Sequence, residues 1–294
     1  MKAIRIHGFG GPEVLELDDV PIPRPGEDEL LVHIRAASVN PVDYKIRRGT
    51  VPWVSREALP LPLGRDLSGT VESAGAGVDS PAEGEDVYAM LGSIDRGSYA
   101  EYVLLQPNEA APKPTSLSHV EAAAVPLAAL TAWQGLFDHG HLKAGQTVLI
   151  HGGSGGVGHF AIQFAKVEGT TVLTTVSAQN LDFVGELGAD RAIDYRAQRF
   201  EEIARDVDLV LDLVGGETQE RSWPVLKRGG ILVSALGEPS REKALQHGAH
   251  GVGYRAKPNA GQLAEIGRLI DQGRVRPVVT ATYPLAETRR AHEQ

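Results

Sequence analysis

The sequence predicts an α/β protein in which a β-rich domain precedes a doubly wound parallel sheet. Two observations support this fold class. Short apolar segments separated by Pro and Gly extend from Ala3 to Leu105, as in a β-rich unit. From Thr147 onward, compact apolar runs of strand length alternate with longer periodic runs, which is the pattern of parallel strands joined by helices.

The predicted elements follow these apolar runs in chain order. In the first part, strands are expected at residues 3–6, 30–34, 69–72, 86–90 and 99–105. In the second part, buried strands are expected at residues 147–151, 171–176, 192–195, 207–214 and 230–235, and the clearest helix at residues 157–167. The last part predicts an amphipathic helix at residues 261–272 and a further strand at residues 276–282.

Length and composition exclude several classes of function. A chain of 294 residues exceeds the usual size of one domain, so two domains are expected. The net charge of −9 argues against nucleic-acid binding, which needs a concentrated basic face. No apolar stretch approaches the roughly 20 residues of a membrane span, and no signal peptide is visible, so a cytoplasmic location is expected. Because cysteine is absent, disulfides, thiolate metal ligands and cysteine nucleophiles are excluded.

The strongest motif is the segment from His151 to Gly158, HGGSGGVG, which we call the glycine loop. It follows an apolar strand and opens a helix, the setting that a dinucleotide-binding fingerprint requires. Glycines let backbone N–H groups approach a pyrophosphate, and the helix N-terminus adds partial positive charge. The alternative is a tight turn without a ligand. The residues predicted to hold the phosphates are Gly153, Ser154, Gly155, Gly156, Val157 and Gly158.

The strand after the glycine loop predicts which nucleotide binds. An NAD-selective site places Asp or Glu at its end, about 20 residues beyond the loop, on the ribose hydroxyls. Here the residue is Ser177, and Asp182 falls on the following helix, so no carboxylate repels a 2′-phosphate. NADPH is therefore the expected cofactor. Tyr195 and Arg196 end the next strand, and they either reach the same phosphate or form an ordinary surface strand end.

Four further segments, together with the glycine loop, resemble the zinc-free quinone oxidoreductase (zeta-crystallin-like) branch of the medium-chain dehydrogenase/reductase superfamily. They are residues 37–49 (ASVNPVDYKIRRG), 62–71 (PLGRDLSGTV), 97–103 (GSYAEYV) and 130–133 (LTAW). The resemblance covers nearly the whole chain. It implies a GroES-like catalytic domain at residues 1–120, with a tail at residues 256–294 packing back onto it, and a Rossmann NADP-binding domain at residues 121–255. It also implies a homodimer, with residues 250–255 as an edge strand that pairs across a two-fold axis.

The resemblance also bears on metals and on single residues. Zinc-dependent relatives carry cysteine within residues 40–43 and Gly-His-Glu at residues 64–66, and these ligands are missing here, so no metal site is expected. Asn180 stands where relatives often place a lysine near the 2′-phosphate. Thr131 is implied to offer its hydroxyl to the nicotinamide ribose or phosphate region, although such a residue more often packs or caps a helix.

The nicotinamide end of the cofactor is expected in a cleft between the domains. Ligands of open parallel sheets bind beyond the carboxyl ends of the strands. Val214 and the run Ala235, Leu236 and Gly237 follow two such strand ends. On the catalytic domain, the resemblance implies that Asn40 approaches the nicotinamide.

Asp43, Tyr44 and Lys45 place a carboxylate, a phenol and an ammonium side by side. We consider Tyr44 as the donor of a proton to the atom that becomes electron-rich after hydride transfer, with the Lys45 cation stabilising the phenolate left behind. A charged surface turn explains the same three residues equally well.

These features predict an enzyme that reduces quinones or α,β-unsaturated carbonyls with NADPH by hydride transfer, without zinc. A noncatalytic NADPH-binding protein with a structural or sensor role is the alternative, because both functions use the glycine loop. Oxidation of bound NADPH by small quinones or enones distinguishes the two.

Overall fold

The computed structural model describes all 294 residues, which divide into two compact units. Unit 1 comprises Met1–Leu127, Lys257–Gly273 and Pro277–Gln294. Unit 2 comprises Ala128–Ala256 and Arg274–Arg276. The middle of the chain therefore builds unit 2, and both its flanks contribute to unit 1.

The elements are numbered in chain order. The strands are β1 (Lys2–Ile6), β2 (Leu15–Asp19), β3 (Leu30–Ala37), β4 (Leu61–Pro62), β5 (Asp66–Ala74), β6 (Asp86–Met90), β7 (Tyr102–Leu105), β8 (Ala110–Pro112), β9 (Thr147–His151), β10 (Thr171–Val176), β11 (Arg191–Asp194), β12 (Val207–Asp212), β13 (Leu226–Ser234) and β14 (His250–Gly253). The helices are α1 (Pro41–Arg47), α2 (His119–Ala123), α3 (Pro126–Trp133), α4 (Gly158–Glu168), α5 (Leu181–Glu186), α6 (Phe200–Ile203), α7 (Gly216–Ser222), α8 (Arg241–Gln246), α9 (Ala260–Asp271) and α10 (Thr288–Ala291). None of the helices combines the length and the apolar character that a membrane crossing needs.

Unit 1 contains two antiparallel sheets. The larger has the strand order β7-β3-β5-β6-β8, and the smaller has the order β2-β1-β4. Alternate residues of the larger sheet, such as Leu30 and Val32 on β3 and Val87 and Ala89 on β6, are buried together in one apolar core. Alternation of this kind is expected because successive side chains of a strand point to opposite faces. The predicted β-rich N-terminal part is confirmed.

Unit 2 contains a six-stranded parallel sheet in the order β11-β10-β9-β12-β13-β14, which confirms the predicted parallel sheet. Its central strands β9 and β12 are almost entirely buried, as expected for parallel strands joined by crossover helices. From β9 the chain adds β10 and β11 on one side and then β12, β13 and β14 on the other. Such a reversal of strand order is the place where open parallel sheets bind ligands.

The strand predicted at residues 276–282 is wrong, because this segment joins no sheet. The side chain of Gln163 takes the place of a partner strand. Its Nε2 donates to the carbonyl oxygen of Arg276 (3.0 Å), and its Oε1 accepts from the Arg276 amide (2.9 Å). Pro277 has no N–H to donate to a strand ladder. The helix predicted at residues 261–272 is confirmed as α9, with bounds Ala260–Asp271.

Candidate active site

The glycine loop has the predicted local structure, since β9 ends at His151 and α4 begins at Gly158. Gly152 has a left-handed φ of 76°, a conformation that favours glycine because a side chain would be strained there. A Cβ on Gly158 would overlap the carbonyl oxygen of Gly152, and a Cβ on Gly153 would overlap Thr174. Backbone shape and packing therefore require glycine at these three positions.

Packing does not require glycine at Gly155 or Gly156. A Cβ on Gly155 would approach only the carbonyl oxygen of Gly152, at 3.4 Å, and a Cβ on Gly156 would meet nothing within 4 Å. The absence of side chains here leaves the backbone open to a ligand. Four amide N–H groups of the loop donate to no backbone acceptor, those of Ser154, Gly156, Val157 and Gly158. Such free donors at the start of a helix fit a pyrophosphate.

Asn180 joins two other predicted residues into one polar group, which we call the hydroxyl cluster. Its Nδ2 donates to Ser154 Oγ (3.0 Å) and to Ser177 Oγ (3.2 Å). Ser154 belongs to the glycine loop, and Ser177 directly follows β10. The cluster therefore places two hydroxyls and an amide beside the glycine loop, and the strand end itself carries no carboxylate.

Tyr195 follows β11, the strand that pairs with β10. Its amide donates to the carbonyl oxygen of Val176, the last residue of β10 (3.1 Å). The Tyr195 side chain is exposed, and the guanidinium of Arg196 lies 5.6 Å from its ring centroid. A cation and an exposed aromatic ring thus stand one strand away from the hydroxyl cluster.

Val214 and Leu236 form an exposed apolar surface beyond β12 and β13, which we call the apolar shelf. Their relative exposures are 53% and 47%. A Cβ built on Gly152 would lie 3.5 Å from Val214 Cγ2, so the shelf adjoins the glycine loop. A Cβ on Gly215 would lie 2.9 Å from Leu236 Cδ1, so the two strand-end loops touch each other. The structure thus brings predicted cofactor residues from three separate loops to one edge of the sheet.

Three predicted cofactor residues remain. Ala235 and Gly237 flank Leu236 in the loop after β13, and Gly237 has a φ of 151°. Thr131 lies inside α3, so it is not a helix cap, and it is buried. Its carbonyl oxygen accepts a hydrogen bond from the hydroxyl of Tyr254 (2.6 Å).

In unit 1, Asn40 and Asp43 lie in a buried polar network at the start of α1. Asn40 Nδ2 donates to Ser38 Oγ and to Asp66 Oδ1, both at 3.0 Å, and the Asn40 amide donates to Asp43 Oδ2 (2.8 Å). Ser38 also donates to Asp66 (2.5 Å). Burial raises the pKa of Asp43 to about 6 and the pKa of Asp66 to about 7. Asn40 therefore links two buried carboxyl groups.

The network continues from Asp43 to the segment after α10. Tyr99 donates its hydroxyl to Asp43 Oδ2 (2.9 Å), His292 Nε2 lies 3.4 Å from that hydroxyl, and His292 Nδ1 lies 3.2 Å from Nη1 of buried Arg47. Burial, together with the Arg47 cation, lowers the pKa of His292 to about 4. Because a guanidinium can only donate, Nδ1 accepts and Nε2 carries the proton of the neutral ring. His292 therefore donates to the hydroxyl of Tyr99, and Tyr99 donates to Asp43.

Tyr44 and Lys45 do not join this network, which corrects the expected side-by-side arrangement with Asp43. Successive residues of a helix point about 100° apart. Asp43 is buried, whereas Tyr44 is half-buried and Lys45 is exposed. The guanidinium of Arg48, one turn after Tyr44, lies 5.2 Å from the Tyr44 ring centroid. The structure thus places an arginine over the phenol.

Two buried aspartates, Asp66 and Asp212, were not predicted as site residues. Asp66 accepts the bonds from Ser38 and Asn40 described above, and also one from the amide of Leu127 (3.1 Å). Asp212 is the last residue of β12 and is fully buried. Asp66 begins an apolar strand and Asp212 ends one. A carboxylate at such a position predicts clustered donors, because an unpaired buried charge is costly. That signal was available in the sequence.

The side chains at residues 40–43 and 64–66 do not offer a zinc coordination set. Asn40 directs its amide donor at Ser38 and Asp66. Arg65 is a buried cation whose guanidinium donates to backbone carbonyl oxygens of the loop after β6. A zinc site needs three or four ligands from cysteine, histidine or carboxylate side chains, and this arrangement of donors and a cation does not fit one.

Two protein families match separate parts of the chain. Residues 26–115 match the family described as Alcohol dehydrogenase GroES-like domain. Residues 187–294 match the family described as Zinc-binding dehydrogenase. The first match covers most of the antiparallel sheets of unit 1, and the second begins within unit 2.

Known proteins resemble the chain over nearly its whole length. The chloroplastic NADPH-dependent alkenal/one oxidoreductase of Arabidopsis thaliana is 34% identical, across 98% of this chain and 74% of its own length. The quinone oxidoreductase structure from Coxiella burnetii has 39% identity and a TM-score of 0.92, covering 100% of this chain and 94% of that one. The Escherichia coli quinone oxidoreductase complexed with NADPH has 31% identity and a TM-score of 0.88, covering 100% and 95%. Both units therefore have counterparts in solved structures.

Proposed function

Because the chain belongs to the quinone oxidoreductase branch of the medium-chain dehydrogenase/reductase superfamily, we propose that it reduces quinones or α,β-unsaturated carbonyls with NADPH. The observation that carries the proposal is the open glycine loop, with its four amide groups that lack backbone acceptors. The names of the relatives support the substrate class, since they include quinone oxidoreductases and an NADPH-dependent alkenal/one oxidoreductase.

The cofactor fits along the carboxyl edge of the sheet in unit 2. The glycine loop holds the pyrophosphate through backbone donors and the α4 N-terminus. The hydroxyl cluster, with Tyr195 and Arg196 after the next strand, receives the 2′-phosphate, because hydroxyls, an amide and a guanidinium all donate to anions. The apolar shelf lies on the other side of the glycine loop and receives the nicotinamide half, together with Ala235, Gly237 and Thr131.

NADPH, when bound, supplies a hydride to the conjugated acceptor. The residues of unit 1 fix the Asn40 side chain and supply the proton. Asp43 accepts from the backbone amide of Asn40, and Asp66 accepts from its side chain. The Asn40 side chain is therefore already fixed and needs no reorganisation when the nicotinamide binds. Tyr44, with the Arg48 guanidinium over its ring, donates the proton to the oxygen or carbon that becomes electron-rich. Lys45 adds a second cation at this exposed part of α1.

We expect the purified protein to oxidise NADPH with cyclohexenone or a small quinone, far faster than with cyclohexanone. A conjugated acceptor spreads the charge that hydride transfer creates, whereas a simple ketone develops a localised alkoxide that a metal would have to stabilise. Initial rates with both carbonyls, with and without EDTA, test this. NADPH binding without turnover of any conjugated acceptor would indicate a noncatalytic nucleotide-binding protein, and loss of turnover on chelation would contradict zinc independence.

A carboxylate in the hydroxyl cluster should reverse the choice of nucleotide. We expect the unmodified protein to bind NADPH at least about tenfold more tightly than NADH, and Ser177→Asp to reverse this order, because the new charge repels the 2′-phosphate and accepts from the ribose hydroxyls. Ser177→Ala, which removes the hydroxyl without adding charge, serves as the control and should keep the preference for NADPH. Fluorescence titrations with both nucleotides measure the ratio, and equal affinities in the unmodified protein would contradict this role for Ser177.

The outer edge of β14 has no partner strand in the sheet of unit 2. An unpaired edge offers backbone groups to a second strand, and a two-fold axis at β14 would pair it with its own copy. The proposed enzyme is accordingly a homodimer.

A further inference from the structure

We infer that Asp212 is a positioning residue that holds both strand-end loops of the apolar shelf in the arrangement that receives the nicotinamide half of NADPH. This inference rests on the proposed function, because it assigns a role in cofactor binding. Asp212 itself is fully buried, so it would act on the cofactor only through the shelf residues.

One carboxylate oxygen of Asp212 fixes the loop after β12. Oδ1 accepts hydrogen bonds from the amides of Val214 (3.1 Å) and Gly215 (2.7 Å). The backbone at this point has left-handed φ values of 75° at Gly215 and 57° at Gly216. Without an acceptor, two amides would remain unpaired next to the buried end of β12, and such unpaired donors are costly. Oδ1 thus sets the backbone that carries Val214.

The other carboxylate oxygen of Asp212 fixes the loop after β13. Oδ2 accepts from Gln219 Nε2 (2.8 Å) and from the hydroxyl of buried Ser234 (3.1 Å). Ser234 Oγ in turn accepts from the amide of Leu236 (3.2 Å). A single carboxylate is therefore connected to the backbone of both shelf residues, Val214 directly and Leu236 through one hydroxyl.

The order of the strands indicates which half of the cofactor depends on Asp212. The hydroxyl cluster lies at the end of β10, the glycine loop follows β9, and the shelf lies beyond β12 and β13, in the spatial order β10-β9-β12-β13. A dinucleotide whose pyrophosphate occupies the glycine loop extends in both directions along this edge. The hydrogen bonds that Asp212 accepts all come from the β12 and β13 side, from Val214, Gly215, Gln219 and Ser234. Its loss should therefore affect the nicotinamide half and spare the 2′-phosphorylated adenosine half.

The test compares two ligands on the full-length protein. NADPH contains both halves, whereas 2′-phospho-ADP-ribose lacks the nicotinamide. For Asp212→Ala we expect about tenfold weaker binding of NADPH, with 2′-phospho-ADP-ribose binding changed by less than about twofold. Asp212→Asn should recover most of the NADPH affinity, because its carbonyl oxygen can still accept from the two amides that Oδ1 holds. This rescue separates the hydrogen bonds from the negative charge.

Asp208→Ala is the matched control. Asp208 lies at the opposite end of the same strand and accepts from the amide of Thr147 (2.8 Å) and pairs with Lys227. We expect this variant to change thermal stability but not the ratio of the two dissociation constants. Ser234→Ala, measured in parallel, removes only the link between Asp212 and Leu236. It should weaken the binding of NADPH by about threefold and leave the binding of 2′-phospho-ADP-ribose unchanged. This variant tests the inference if Asp212→Ala does not fold.

If the Asp212 or Ser234 variants bind both ligands more weakly by the same factor, the inference is overturned, since this would indicate a general structural role. Unchanged binding of both ligands would overturn it as well. Failure of the unmodified, folded protein to bind either ligand is a different result, because it rejects the proposed function itself.

Discussion

Gly155→Val is expected to weaken NADPH binding at least about a hundredfold while the protein remains folded. The valine side chain would stand where the pyrophosphate approaches the backbone. The backbone at Gly155 does not exclude a side chain, because φ is not left-handed there and a Cβ would meet only one atom, the Gly152 carbonyl oxygen, at 3.4 Å. Fluorescence titration with NADPH measures the affinity, and thermal unfolding measures the stability.

Two other glycine substitutions make this result specific. Gly185→Val on α5 is the matched control, since a Cβ there meets nothing within 4 Å and lies outside the glycine loop; it should bind NADPH normally. Gly158→Ala should instead lower the unfolding temperature, because its Cβ would overlap the carbonyl oxygen of Gly152. If folded Gly155→Val keeps the unmodified affinity, the phosphates bind elsewhere.

Tyr44→Phe is expected to lower turnover roughly a hundredfold with unchanged NADPH affinity, the scale of losing a positioned general acid. The phenol of Tyr44 is half-buried on α1, and the Arg48 guanidinium lies 5.2 Å from its ring centroid. Steady-state kinetics with a quinone and with an enone, together with NADPH titration, separate the loss of turnover from a loss of binding.

The chain offers a matched control for this variant. Tyr283 is also half-buried in unit 1, and its ring centroid lies 5.5 Å from the guanidinium of Arg290. Tyr283→Phe removes the same hydroxyl from the same kind of tyrosine and arginine pair, and we expect full turnover. Full turnover in Tyr44→Phe as well would mean that water supplies the proton and that Tyr44 only packs on α1.

Some features of the candidate site follow from neighbouring residues and could be predicted. The glycine loop is one, because the apolar strand, the glycines and the helix start lie next to each other in the chain. The position of Ser177 is another, since it depends only on following the next strand. The side-by-side grouping of Asp43, Tyr44 and Lys45 was not correct, because adjacency in the chain is not adjacency on a helix, where successive side chains point in different directions.

The sequence by itself determined the fold class and the local structure of the glycine loop, because apolar periodicity and clustered glycines act over a few residues. Only the tertiary structure decided which polar groups meet. Gln163 pairs with the backbone of Arg276, 113 residues away, so no strand forms at residues 276–282. Asp212 reaches Ser234, 22 residues away, because β12 and β13 are neighbours in the sheet. A buried polar group forms hydrogen bonds with the groups that lie next to it in the folded protein. Spacing along the chain does not specify those groups.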